Sequence, residues 1–176
     1  MCDTISTLLS EYEFNIKDIT MPPDGEEKTH DITIKKEDEK HATARITIVG
    51  TERRMIIDAI RRNKLKSPKG LGKLILYFLA CVAKTIGCSD ILFEASSFYN
   101  TGKHNVSAQA KLETYYNSLG FIKDGDKTHY GTQLYSTSVD VIISRIESEY
   151  KKPESSGGKR RTRHKPKRRY RNSTRK

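Results

Sequence analysis

One short stretch restricts this chain more than any other. Ser67-Pro68-Lys69-Gly70-Leu71-Gly72-Lys73 sets two glycines one residue apart and leads straight into an apolar segment. Leu71, Leu74, Ile75, Phe78, Leu79, Val82 and Ile86 recur at spacings of three, four and seven. That period predicts an amphipathic helix of about four turns, buried on one side. Gly87 follows as its C′ residue. At the other end, glycines let backbone N–H groups approach a ligand with no Cβ in the way. First-turn amides and the positive end of the helix dipole favour a phosphate. Lys66, Lys69 and Lys73 add charge to the same turn. A plain core helix, with Ser67 as N-cap and Pro68 at the first helical position, accounts for the same residues.

The segments on either side decide what such a helix packs against. Upstream, residues 31–34 and 41–49 alternate apolar and polar positions, and residues 55–60 form a short β-branched run. Three strands with short connections predict an antiparallel meander. Downstream, residues 90–95 read as a buried strand, so strand, glycine loop, helix and strand make one βαβ unit. A short helix is expected over residues 4–13 and a first strand over 14–19. A second long helix is expected over 107–119, ended by Gly120, with Phe121 opening the next strand. Asp124-Gly125-Asp126 reads as a hairpin turn, 133–136 as its return strand, and 139–150 as a last helix.

Charge divides the 176 residues into two parts. Residues 151–176 hold thirteen Lys or Arg against Glu154, a charge of +12, while residues 1–150 hold 20 basic against 21 acidic residues, or −1. Residues 151–158 have linker composition, and the stretch that follows has almost nothing apolar to bury. The expectation is a domain over 1–150 and a disordered basic tail over 151–176. Lys159, Arg160, Arg161, Arg163, Lys167, Arg168 and Arg169 suit nucleic-acid phosphates or a nuclear-import receptor. No apolar run reaches the ~20 residues of a membrane span, and no secretory leader is evident. Cys2, Cys81 and Cys88 form no metal spacing and no even disulfide set, which fits a reducing, intracellular setting without a metal.

Two local patterns, in this order of elements, resemble the GNAT superfamily of acyl-CoA-dependent N-acyltransferases. Gly70-Leu71-Gly72, between an apolar strand and a long helix, is similar to that family's Arg/Gln-x-x-Gly-x-Gly/Ala pyrophosphate loop. Tyr116-Asn117-Ser118-Leu119-Gly120-Phe121 is similar to its Tyr-x-x-x-Gly-Phe helix end. The resemblance covers roughly residues 28–136. It departs at Ser67, where the family carries Arg or Gln, and at Gln109 and Leu112, where Asn and Ala often open the second helix.

The resemblance implies an α+β fold with a mixed, mostly antiparallel central sheet flanked by helices, the βαβ unit carrying the cofactor loop. It implies acetyl-CoA as co-substrate and an amine, on a protein or a small molecule, as acceptor. Ser67, Lys69, Gly70, Leu71, Gly72 and Lys73 would hold the pyrophosphate. Ile60 and Arg61, on a strand splayed from its neighbour, would hold the pantetheine arm. Residues 53–73 carry eight basic side chains and one acid, Asp58, a bias suited to the charged end of coenzyme A. Tyr116 matches the position from which family members often protonate the leaving thiolate, and Tyr115 is its one-residue alternative. Asp58, Glu94 or a water chain would take the amine proton. Two other readings stand beside this one. In one, the fold carries no chemistry and serves a nucleic-acid-binding tail, which Ser67 at the Arg/Gln position favours. In the other, it binds coenzyme A without turnover.

Overall fold

The computed structural model describes residues 3–63, 65–94, 106–129 and 132–151. They form helix α1 (Asp3–Ser10), strands β1 (Glu13–Asn15), β2 (Glu27–Lys36), β3 (Glu39–Val49) and β4 (Arg54–Arg62), helix α2 (Leu71–Ile86), strand β5 (Asp90–Glu94), helix α3 (Val106–Ser118), strands β6 (Ile122–His129) and β7 (Thr132–Ser138), and helix α4 (Val139–Lys151). The seven strands make one sheet in the order β1-β2-β3-β4-β5-β7-β6. The class is α+β and the sheet is mostly antiparallel, its one parallel pair being β4 with β5.

The meander forms where the alternation placed it. Ile32 and Ile34 on β2, and Ala42, Ala44, Ile46 and Ile48 on β3, are buried, while the positions between them are polar and half-buried or exposed. The β2–β3 hairpin turns on Glu37 and Asp38, both at positive φ (51° and 61°). Two-residue hairpins need that handedness to match the twist of their strands. The buried face forms one cluster with Ile5 of α1, the apolar side of α2, Tyr116 of α3, and Val139, Ile142 and Ile146 of α4. At about 1.5–3 kcal/mol for each large side chain removed from water, Leu74, Ile75, Leu76 and Leu79 alone make α2 the central strut of the core.

Three elements differ from the sequence expectation. The first strand is short, ending at Asn15, and residues 16–20 have no regular structure. Asp124-Gly125-Asp126 is not the hairpin turn: β6 continues through it to His129, and its partner strand begins at Thr132. The register steps from Lys123↔Tyr135 to Thr128↔Gln133, so four residues face one. Gly125 takes φ 56°, and the Gln133 side-chain amide donates to its carbonyl at 3.0 Å. The turn residues serve here to build a bulge. Finally, α2 starts at Leu71, with Gly70 at the N-cap (φ 95°) and no side-chain cap, so Ser67 and Pro68 precede the helix. Its other end closes as expected, on Gly87 at φ 85°.

Candidate active-site cleft

A second bulge opens the site. β3 pairs with β4 as Arg45↔Ala59 and then Ile46↔Ile57, which leaves Asp58 as an extra residue on β4. An extra residue bends its strand and increases the local twist. The parallel pairing of β4 with β5 runs only from Arg54↔Asp90 to Ile57↔Phe93, stopping at that bulge, although β4 continues to Arg62. Beside the last residues of β4 lies a cleft of about 500 Å³. Ile60 and Arg62 line it from the strand, Lys69, Gly70, Gly72, Lys73 and Leu76 from the glycine loop and α2, and Leu112, Tyr115 and Tyr116 from α3.

The loop leaves amides free beside this space. Leu71 N–H turns back to Pro68 O (3.3 Å) and Lys73 N–H to Gly70 O (2.9 Å). Among the described residues, the N–H groups of Lys69, Gly70 and Gly72 have no acceptor. From Gly70 to Lys73 a donor left over thus alternates with a donor used inside the turn. A Cβ on Gly70 would meet nothing within 4 Å but would sit at a φ that L residues avoid. One on Gly72 would come no closer than 3.9 Å, to Arg62 Cδ. Leu71 is 1% exposed and spends its side chain in the core.

The cations divide between two faces. Side chains alternate along a strand, so Arg62 enters the cleft with Ile60. Arg61 instead lines a separate cleft of about 320 Å³ with Asp31, Arg45 and Ala59. The side chain that shares the cleft with Ile60 is thus Arg62, while the Arg61 side chain lies on the other face; the extra residue Asp58 is what puts Ile60, rather than Ala59, in phase with Ile57. Lys66 pairs with Glu39 at 2.9 Å. Ser67 does not line the cleft: its hydroxyl donates to His41 O at 2.5 Å and ties the loop to β3. Lys73 forms an ion pair with Glu149 of α4. Arg62 and Lys69 have no ion-pair partner among the described residues.

Tyr116 is 8% exposed, with its ring against Phe93 (centroids 4.1 Å apart), Phe121 (5.6 Å) and Tyr115 (5.1 Å). Burial holds its phenol well above the ordinary range, the neighbouring Tyr115 adds to this, and Arg62 opposes it. Burial likewise pushes Tyr115 up to about 12. Both are neutral donors at any physiological pH. Asp58 accepts a hydrogen bond from Thr47 Oγ1 at 2.9 Å and is not part of the cleft wall. Glu94 closes β5, opposite Leu134, and its side chain lies outside the described residues. So do Lys159, Arg160, Arg161, Arg163, Lys167, Arg168 and Arg169. Among the described residues no group of His, Cys, Asp and Glu is arranged to hold a metal ion, and no helix is long and apolar enough to cross a membrane.

No protein-family model matches the chain, and no curated protein does. Solved structures do. A candidate acetyltransferase of the GNAT family from Desulfovibrio desulfuricans aligns at 17% identity over 63% of this chain and 69% of its own, with a TM-score of 0.50. Another candidate acetyltransferase aligns at 13% identity over 71% of this chain and 66% of its own, with a TM-score of 0.52. The PaiA N-acetyltransferase of Thermoplasma acidophilum, solved with coenzyme A, aligns more loosely, at 11% identity over 62% of this chain and 60% of its own, with a TM-score of 0.47. With a strand–loop–helix–strand unit bearing Gly70 and Gly72 in a seven-stranded, mostly antiparallel sheet, the chain has the fold of the GNAT acetyltransferases.

Proposed function

We propose that residues 1–150 form an acetyl-CoA-dependent N-acetyltransferase that transfers directly to an amine in a ternary complex. One observation carries the reading. Gly70 and Gly72 with their unused amides, the cations Arg62 and Lys69, the last residues of β4 and the buried Tyr116 all line one cleft. Two free amides at a helix N-terminus fit a pyrophosphate, and the open space around both glycines leaves room for one. The last residues of β4, Ile60 and Arg62, line the space that a pantetheine arm would enter. Acetyl-CoA supplies an activated acyl group, and amine attack forms a C–N bond as the C–S bond breaks.

Tyr116 then has a defined task. A phenol held above its ordinary range is a weak acid, so it does not give up its proton beforehand. It donates a hydrogen bond that strengthens as negative charge grows on the leaving sulfur, and the proton follows once the thiolate has formed. The amine proton goes to Glu94 or a water chain, since Asp58 is held by Thr47 outside the cleft wall. The test is titration calorimetry of the full chain with acetyl-CoA, followed by thiol release with a panel of amines and peptides. Binding with release supports the proposal, and failure to bind acetyl-CoA refutes it. Binding without release from any amine would favour the fold as a coenzyme A-binding module. Ser67 turned onto His41 O, away from the cleft, is the observation on that side.

A further inference from the structure

An anion of the chain's own is paired with a cation of the cleft wall. Helix α4 lies along α2 and touches it at three heights: Lys84 with Asp140 (2.7 Å), the Tyr77 hydroxyl with Glu147 (2.7 Å), and Lys73 with Glu149. The first two lie away from the glycine loop. The third involves the one lysine of α2 that lines the cleft, at the third residue of the helix. Its side chain is 22% exposed and that of Glu149 38%. The same carboxylate acts on Tyr115, also in the cleft wall, and helps to raise its pKa after burial.

We infer that Glu149 is an internal competitor for the anion site of the cleft, so that a phosphorylated ligand seated on the glycine loop must displace it from Lys73. This rests on the acetyl-CoA reading. A phosphate on the Gly70 and Gly72 amides needs positive potential around the first turn, and Glu149 offsets one of the three cations that line the cleft. Displacement frees Glu149 within the last turn of α4, just before Lys151, where the basic residues begin. Occupancy of the cleft is thereby coupled to the end of the helix from which the tail departs.

The experiment compares acetyl-CoA with acetylpantetheine, which keeps the thioester and lacks the phosphates. Both are titrated into the full-length wild type, Glu149→Gln and Glu149→Asp. Removing a like charge a few ångströms from a phosphate, at a half-exposed site, should tighten acetyl-CoA roughly tenfold. Acetylpantetheine should bind all three forms equally. Glu149→Asp, which keeps the charge on a shorter stem, should fall between the other two. The gain should shrink as salt rises. Thermal melts of each form guard against a change in folding. Glu149→Gln binding acetyl-CoA no tighter than a wild type that does bind it would overturn the inference and leave Glu149 a helix–helix clamp. Equal tightening of both ligands would also overturn it, because the effect would not act through the phosphates. No binding of acetyl-CoA by any form would overturn the acetyltransferase reading, and this inference with it.

Discussion

Replacing Gly72 by aspartate separates the loop's two tasks, because the structure gives the substitution opposite signs in folding and in binding. Gly72 is the second residue of α2, and a Cβ there would meet only the Arg62 side chain, at 3.9 Å. Removing a glycine from a helix gains about 0.5–1 kcal/mol. A carboxylate in the first turn adds about 0.3–1 kcal/mol with the dipole, and Arg62 lies within reach of it. The variant should therefore be more stable by about 1 kcal/mol, a rise of roughly 2–4 °C in melting temperature for a chain of this size. Against a ligand phosphate about 4 Å away, the same carboxylate costs about 4 kcal/mol at an effective dielectric of 20. Even after solvent screening halves it, affinity for acetyl-CoA falls more than roughly tenfold. Gly72→Ala should keep the stability gain and lose less affinity. Gly70→Ala is the poorer probe, since φ 95° costs an L residue about 1–2 kcal/mol by itself. Calorimetric unfolding and acetyl-CoA titration on the same samples decide the matter. A Gly72→Asp protein that binds as tightly as wild type refutes the assignment of this loop to phosphate, and one that is unfolded refutes the geometry.

Tyr116→Phe keeps the ring contacts with Phe93 and Phe121 and removes only the donor. It should lower kcat by about 10²-fold, the lower end for general acids, with acetyl-CoA affinity little changed, and if Tyr115 is the donor the loss appears in Tyr115→Phe instead. Deleting residues 152–176 should abolish most binding to duplex DNA, with its steep dependence on salt, and leave acetyl-CoA affinity intact; a truncated body that binds DNA like the full chain contradicts this. Tyr77→Phe should destabilise the fold by about 1.5 kcal/mol at neutral pH, because the Glu147 carboxylate loses a charge-assisted bond and keeps Lys151 at 3.5 Å. The Tyr77 hydroxyl is the main cause holding the Glu147 pKa below its usual value. That contribution is present above the unfolded carboxylate pKa of about 4.3 and is lost as pH falls through the folded value, so the two proteins should converge in stability in acid. A difference that does not change with pH would refute this.

What the sequence made legible was what repeats over short distances. The α2 stripe begins and ends where the periodicity put it, and β2, β3 and β4 pair as a meander, the first two marked by alternation and the third by its β-branched run. The strand after α2 is parallel to β4, as a βαβ unit requires. The site was less legible, since one inserted residue reverses every side chain beyond it. With no sign of the bulge at Asp58, counting by twos from Met55 and Ile57 leads to Ala59 and Arg61, whereas the cleft takes Ile60 and Arg62. Asp124-Gly125-Asp126 misled because a bulge and a hairpin turn ask for the same residues. Glu149 left no local trace, as it meets Lys73 across 76 positions of chain.

The two margins of the sheet bear on how this protein behaves when crowded. An exposed strand invites another chain to extend the sheet, the first step in many aggregates. At one margin stands β1, three residues long, with too few groups to hold a newcomer. At the other stands β6, whose Ile122 is 68% exposed and whose length would suffice. Its four-against-one step at residues 124–127 breaks the spacing of its outward N–H and C=O groups, so no regular strand can match both halves at once. A deletion that restored an even register there would create a long, flat, partly apolar border, and the protein would become prone to self-association at concentrations where the natural chain stays dispersed.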